Sequence, residues 1–331
     1  MYTHLPANYM VRPPMEEDVQ PIIDLIYAYE ISENGSADRY TPAEIRGDWE
    51  HLDPRADAWC IFSPEGSLAA YGLLWCHDAA SYGRLTGDGY VHPAYAGRGL
   101  GSTLLDLMEA RAAEIEPTLP EDTRLVLVNS IIANSAASRA LFEGRGYSLT
   151  RVYFNMEIAF AEEPTAPVWP TGIEIRACDG SSDDIRRAYE VVEEAFQDHF
   201  MHMPRTFEEW REFMVHEDFD PSLWFLAMDR DTTVGAILCQ VRDQEAGLGV
   251  IPRLAVLPSW RKHGLGTALL HHAFGAFYMR GFKRVVLGVD SQNLTGAQRL
   301  YEQVGMRVAM RIGRYEKELR PGRELHPGRL G

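Results

Sequence analysis

The chain states one long pattern twice. Residues 91–102 are answered by residues 256–267: Pro93 matches Pro258 and Gly99 matches Gly264, both at an offset of 165 (258 − 93 and 264 − 99). Arg12 and Arg176, each near the end of a short apolar run, lie 164 apart (176 − 12). Residues 134–146 line up with 293–305 at an offset of 159, the shortfall coming from extra residues around Pro117 and Pro120 in the first copy. A period this long is a duplicated domain and not a solenoid unit. With 331 residues, each copy is long enough for its own core.

Within the repeat, one turn carries chemistry. In the second copy an apolar run over 253–257 reads as a buried strand, and a helical pattern follows with Leu269, Ala273 and Phe277 on one face. Between them lie Arg261, Lys262, His263, Gly264, Leu265, Gly266 and Thr267. Glycine lets backbone approach a ligand closely, and the first turn of a helix has N–H groups without intrahelical partners. With the positive end of the helix dipole and two cations, the turn is a candidate pyrophosphate cradle. The plain alternative is a tight turn with surface cations; its recurrence after Tyr90 and Val91 weighs against that. Gly97 and Gly99 do not form a dinucleotide fingerprint, because Ser102 holds the third glycine position.

These residues, with Asn293 and Tyr301 ahead of Gly305, resemble the GNAT acetyltransferase superfamily. Its pattern is a basic residue or Gln, two variable residues, Gly, one variable residue, then Gly or Ala, after a Val-x-Pro strand end. The resemblance covers nearly the whole chain. It implies an α/β fold (an α+β mixed sheet) of two tandem domains, each a central mixed sheet with splayed parallel strands flanked by helices. The boundaries read from sequence are 1–160, a Pro-rich linker at 161–171, 172–320, and a tail at 321–331. The tandem arrangement is similar to that of mycothiol synthases, although no residue fixes that substrate.

The resemblance further implies acetyl-CoA as co-substrate and direct attack by a primary amine in the second copy. Leu254, Ala255 and Val256 would offer backbone groups to pantetheine and the thioester carbonyl. The amides from Arg261 to Thr267 would hold the pyrophosphate, and Asn293 would bind pantetheine or cap a helix. Tyr301 would stand beside the sulfur and protonate the leaving thiolate. Ala96 and Phe142 replace Arg261 and Tyr301 in the first copy, which is therefore expected to be catalytically silent. Tyr90, Val91, Gly97, Arg98, Gly99, Leu100, Gly101 and Ser102 are left there as a possible second CoA site. The second copy lacks the Glu base that many relatives carry before Val-x-Pro; Glu245, Asp243, Asp198, His199 and His263 are the candidates. A non-catalytic CoA-binding sensor or scaffold is the alternative.

The net charge of −16 (32 basic, 48 acidic residues) argues against nucleic acid and anionic membranes as partners and suits a cationic small-molecule or peptide amine. Residues 197–224, rich in aromatic and acidic side chains, are expected to line the acceptor pocket. The four cysteines show no metal or redox spacing, and His199 with His202 is too little for a metal site, so none is expected. No apolar leader or membrane-length run is present, and a cytoplasmic monomer or homodimer is expected.

Overall fold

In the computed structural model, which describes residues 4–197, 204–215, 219–293 and 296–323, the two copies become two compact units. The first takes the described residues up to Val152 and those from Arg311 on; the second runs from Tyr153 to Met310.

The first unit begins with β1 (Met10–Arg12), α1 (Val19–Asn34), α2 (Pro42–Glu50) and α3 (Pro54–Asp57). It continues with the hairpin β2 (Ala58–Phe62) and β3 (Leu68–Trp75), then α4 (Ala79–Tyr82), β4 (Arg84–Val91) and α5 (Leu100–Ile115). β5 (Leu125–Ile132), α6 (Ala136–Gly144) and β6 (Ser148–Ala159) follow. The second unit repeats the order as β7 (Ile173–Ala177), α7 (Ser182–Phe196), α8 (Phe207–Met214), β8 (Trp224–Asp229) and β9 (Thr232–Asp243). Its remaining elements are β10 (Leu248–Val256), α9 (Leu265–Met279), β11 (Arg284–Asp290), α10 (Ala297–Gln303) and β12 (Arg307–Arg320). Residues 161–170 form no helix or strand.

Each unit is a mixed sheet. The order is β1-β2-β3-β4-β5-β12 in the first unit and β7-β8-β9-β10-β11-β6 in the second. Among the described strands of these two sheets only β4 with β5 and β10 with β11 run parallel. The last strand of each sheet comes from the other half of the sequence. β12 is antiparallel to β5 from Ile312↔Ile132 to Arg320↔Leu125, and β6 is antiparallel to β11 from Tyr153↔Asp290 to Ala159↔Arg284. The compact units therefore differ from the division at 1–160 and 172–320. Duplication gives β5 and β11 equivalent open edges, and a local apolar pattern does not say which edge a strand will pair with.

Helices cover both faces of each sheet. In the first unit Leu104 and Met108 of α5 pack on Leu85 and Leu127, while Ile22 and Ile26 of α1 pack with Ile45, Tyr71 and Leu73 on the other face. In the second, Leu269, Phe274 and Phe277 of α9 pack on Val285 and Leu287, and Ile185 and Val192 of α7 join Trp210, Trp224 and Leu238 opposite. Each fully buried side chain of this size contributes about 1.5–3 kcal/mol. Cys60, Cys178 and Cys239 are buried and free. Among the described residues no helix is long and apolar enough to cross a membrane.

The duplicated Arg12 and Arg176 are structural. Arg12 grips the buried Asp18 through two bonds of 2.6 and 2.8 Å, and Arg176 grips the buried Asp184 through two of 2.5 Å. Each carboxylate also accepts a backbone N–H, from Met15 or Asp179, so the pair ties the first strand of a unit to its first long helix. The bond from Arg176 holds Asp184 down at about 2, against 3.8 for a free side chain. A depressed carboxylate adds stability that is complete above its unfolded pKa and is lost as pH falls through its folded one, here between about 4 and 2, and the shift corresponds to about 2 kcal/mol. Asp184→Asn is expected to lower stability by about that amount at pH 7 and to flatten its pH dependence below pH 4, read from urea unfolding midpoints.

Candidate active site

In the first unit β4 and β5 pair only from Arg84↔Val126 to Gly87↔Asn129, although β4 continues to Val91 and β5 to Ile132. Asn129 forces them apart. Its Nδ2 donates to the Gly87 carbonyl at 2.8 Å, occupying an acceptor that the parallel ladder would otherwise use. Only glycine leaves room for this, since a Cβ on Gly87 would stand 2.8 Å from that nitrogen and 2.9 Å from Met108 Sδ. Asn129 Oδ1 is buried and has no partner among the described residues. The strands splay onto a cleft of about 360 Å³ bounded by Gly89 and Val91, Asn129 and Ile131, Ser138 and Phe142 of α6, and Tyr29 of α1. In the second unit pairing stops after Val250↔Val286, and a bulge between Val250 and Arg253 bends β10 away. Leu254, Ala255 and Val256 lie in the stretch that follows, paired to β9 and not to β11.

The two phosphate turns share one backbone. Gly99 and Gly264 cap α5 and α9 at φ 84° and 81°, and the residues two before them, Gly97 and Lys262, also have left-handed φ, 74° and 64°. Left-handed residues in such a turn curl successive N–H groups toward one concavity, which suits a pyrophosphate. Lys262 holds this geometry at a cost of about 1 kcal/mol that Gly97 avoids. Gly101 and Gly266 serve packing instead: a Cβ there would stand 3.0 Å from Leu141 Cδ2 and 3.1 Å from Leu300 Cδ2. Leu100 and Leu265 point into the cores, while Ser102 and the other first-copy turn residues Gly97, Gly99 and Gly101 line the cleft.

The turn cations are partly committed elsewhere. Arg261 donates to the carbonyls of Ala195 at 2.8 Å and Val256 at 3.3 Å, tying its turn to the end of α7. Arg98 donates to the Tyr9 hydroxyl at 3.1 Å. Lys262 and His263 are exposed.

Side chains alternate along β4. Gly87 and Gly89 face Met108 and Leu104 of α5, whereas Asp88 and Tyr90 face α1 and α2. Burial first, and then the charge of Asp48 on α2, raises Asp88 to about 7. Burial and Glu44 raise Asp48 to about 6, with His51 opposing. Neither carboxylate has an Arg or Lys partner among the described residues. The fully buried carboxylates of this unit do, whereas Asp48 and Asp88 are half-buried: Asp18 has Arg12, and Asp57 has Arg111 at 2.7 Å. Aromatic side chains wall the pair. Tyr29 meets Tyr90 edge-on at 5.6 Å, and Trp49 donates to the Tyr71 hydroxyl at 2.9 Å. Sequence reasoning passed over Asp88, Asp48, Tyr29 and Asn129. The signal for Asp88 was available, since it stands on the strand before Val91 and Pro93, five residues ahead of the proline, where a base was sought in the other copy.

At the matching position of the second unit, five residues before Pro258, stands Arg253. Its guanidinium lies 5.9 Å from the Phe196 ring and donates to the Pro252 carbonyl at 2.7 Å; burial, and then Arg205, lowers its pKa. Tyr301 is buried in the core with Leu265 and Leu269, and burial raises it to about 12. The base candidates fare unevenly. Asp243 ends β9 and Glu245 sits in the turn before β10, and the nine residues of β10, roughly 30 Å, separate both from the glycine turn at 261–267. Asp243 there accepts the Ala246 N–H at 2.8 Å. Asp198 and His199 lie outside the described residues. The cap of α10 is Gly296, while the Asn293 N–H donates to the Asp290 carbonyl at 3.0 Å. In the expected acceptor segment, Phe207, Trp210 and Met214 are core, and Glu209 caps its own helix through Thr206. Cys178, Asp179 and Asp184 come close enough to share a metal ion, but Asp184 is already held by Arg176.

Two mixed sheets, each splayed between its parallel strands beside a left-handed glycine turn, define a tandem acetyltransferase architecture. The chain belongs to the Acetyltransferase (GNAT) family, whose model matches residues 23–147 and 185–306, and it is an N-acetyltransferase. It is 32% identical over 243 residues to the mycothiol acetyltransferase of Thermobispora bispora, covering 72% of this chain and 76% of that one. It is 28% identical over 310 residues to that of Catenulispora acidiphila, covering 89% and 94%. A crystal structure of a GCN5-related N-acetyltransferase from Sphaerobacter thermophilus matches 97% of this chain and 98% of its own with a TM-score of 0.85 and 35% identity.

Asp is tolerated at left-handed φ, and neither Gly97 nor Gly264 has an atom within 4 Å of a built Cβ. A carboxylate about 4 Å from a pyrophosphate oxygen costs about 1–4 kcal/mol, depending on the local dielectric. Gly97→Asp is expected to weaken CoA binding more than tenfold in the first unit, and Gly264→Asp in the second. Calorimetric stoichiometry and affinity of each variant assign the sites.

Proposed function

We propose that the protein transfers the acetyl group of acetyl-CoA to a primary amine by direct attack, and that turnover takes place in the first unit. The carrying observation is Asp88: a carboxylate with no Arg or Lys partner among the described residues, raised to about 7, on the first residue of β4 beyond the parallel pairing. Pantetheine lies in the splay, its amide groups meeting the free edges of the two strands and the lone Asn129 Oδ1. The pyrophosphate sits on the amides from Gly97 to Ser102. An amine arriving as ammonium from the α1 and α2 side meets Asp88 and Asp48 and an aromatic wall that favours cations. Asp88 takes its proton, and the neutral nitrogen attacks the thioester carbon while backbone N–H groups of the splayed edge receive the developing oxyanion.

This moves the reaction away from the second copy, where the sequence expectation put it. Arg253 in place of a carboxylate leaves an ammonium with a like charge to meet. What still favours the second unit is Tyr301, and Tyr301→Phe tests it: a fall in kcat of a hundredfold or more would return the chemistry there. Membership of an enzyme family sets aside the sensor reading. The relatives' name fits a small-molecule amine acceptor, and the free thiols fit a reducing cytoplasm.

A base must be deprotonated to act, so kcat/KM is expected to rise with pH through about 7 and level above it. Asp88→Asn should lower kcat by about a hundredfold or more and abolish that limb. Asp48→Asn removes the like charge that raises Asp88, and so should move the limb to lower pH while weakening acceptor binding. Thiol release from acetyl-CoA over a panel of amines, measured from pH 5 to 9, checks all three.

A further inference from the structure

We propose that Tyr29 is the proton donor to the leaving thiolate in the first unit, acting where Phe142 cannot. The inference rests on turnover in that unit and would lose its object without it. Three observations carry it.

First, Tyr29 of α1 and Ser138 and Phe142 of α6 line the same cleft. Second, burial holds the Tyr29 phenol protonated, raised to about 12, and the Ser138 side chain offsets part of that rise. Ser138 stands four residues before Phe142, one helical turn away on the same face. Tyr29 on α1 and the helix that bears the residue matching Tyr301 therefore border one cleft. Third, the two copies exchange their residues at these positions. Asp18 and Asp184 are structural counterparts, each held by the Arg of its first strand, and the residues eleven places on are Tyr29 and Ala195. The first unit has Tyr on its first long helix and Phe at 142; the second has Ala on that helix and Tyr at 301. At these two matched positions each unit carries one phenol, on different helices.

The proton accounting closes without another reagent. Asp88 takes one proton from the ammonium, and the amine lone pair forms the C–N bond. Collapse of the tetrahedral intermediate breaks the C–S bond, leaving the electron pair on sulfur, and the amide nitrogen releases its extra proton to water. Tyr29 gives its proton to the thiolate, producing CoA thiol. The Asp88 carboxyl then returns a proton to the Tyr29 phenolate, restoring both groups. The two groups are electrostatically coupled, since the charge on Asp88 is among those that raise Tyr29.

The test is Tyr29→Phe in the full-length protein, which keeps the ring against Tyr90 and removes one hydroxyl. Thiol release should fall about a hundredfold in kcat, with acetyl-CoA affinity by calorimetry within threefold and the unfolding midpoint unchanged. The double variant Tyr29→Phe with Phe142→Tyr puts a phenol back from the other helix and should recover at least tenfold of the loss, which a packing role for Tyr29 would not allow. Full turnover in Tyr29→Phe, or a loss that Phe142→Tyr leaves untouched, overturns the proposal. Asp88→Asn separates the two readings. If it is inactive while Tyr29→Phe is not, the first unit is the site and Tyr29 is not its acid; if it is fully active, the site itself is misplaced.

Discussion

Every chemical possibility in this protein depends on where two parallel strands stop pairing. Through Gly87 and Asn129, or Val250 and Val286, the ladder is ordinary sheet with its donors and acceptors used up. One residue later those groups face a gap, and a gap between unpaired edges in a protein interior needs something amide-like to fill it. The two units open it by different means. In the first an Asn side chain takes a ladder acceptor, with glycine beside it giving the space; in the second a bulge bends one strand. The helix that follows each splayed strand must then start beside the gap, which brings its unpaired N–H groups to the end where a pyrophosphate would lie.

Charge placement separates scaffold from site. The chain carries a formal charge of −16, and the buried carboxylates of the scaffold are held by guanidinium groups that also fix the first strand to the first helix. Asp88 and Asp48 break that habit. Burial raises both, helped by the charge of Asp48 at Asp88 and of Glu44 at Asp48, and among the described residues neither has an Arg or Lys partner. An uncompensated pair destabilises the empty protein, and a cation would relieve it. That is the physical ground for placing an amine there.

Duplication kept the backbone and let the side chains drift in opposite directions. The left-handed pair of the phosphate turn survives as Gly97 and Gly99 in one unit and as Lys262 and Gly264 in the other, the second at some cost in strain. The carboxylate of β4 is an arginine in β10, and the phenol of α10 is a phenylalanine in α6. Residues that make the splay and the turn are constrained by packing and hydrogen bonding in both units. Residues that would touch an acceptor answer to it alone, and a second copy frees one set from that demand.

The sequence by itself determined the duplication, the mixed α/β fold and the glycine turns at the helix starts, because all three are local. Glycines at a strand-to-helix turn, apolar periodicity and a matching offset are written within a few tens of residues; most of the run over 253–257 lies in β10, and Leu269, Ala273 and Phe277 lie on α9, as the pattern predicts. Arg12 and Arg176 were visible as a repeat, yet their task needed the buried carboxylates that accept from them. Tertiary structure alone decided the rest. Which edge β6 and β12 join is a choice between equivalent partners that no local pattern makes. Asp243 and Glu245 were plausible bases until register placed them at the turn that enters β10 rather than the one that leaves it. Asp88, Asp48 and Tyr29 come from three elements, and a carboxylate's value as a base lies in the burial and the neighbouring charge that only the folded chain supplies.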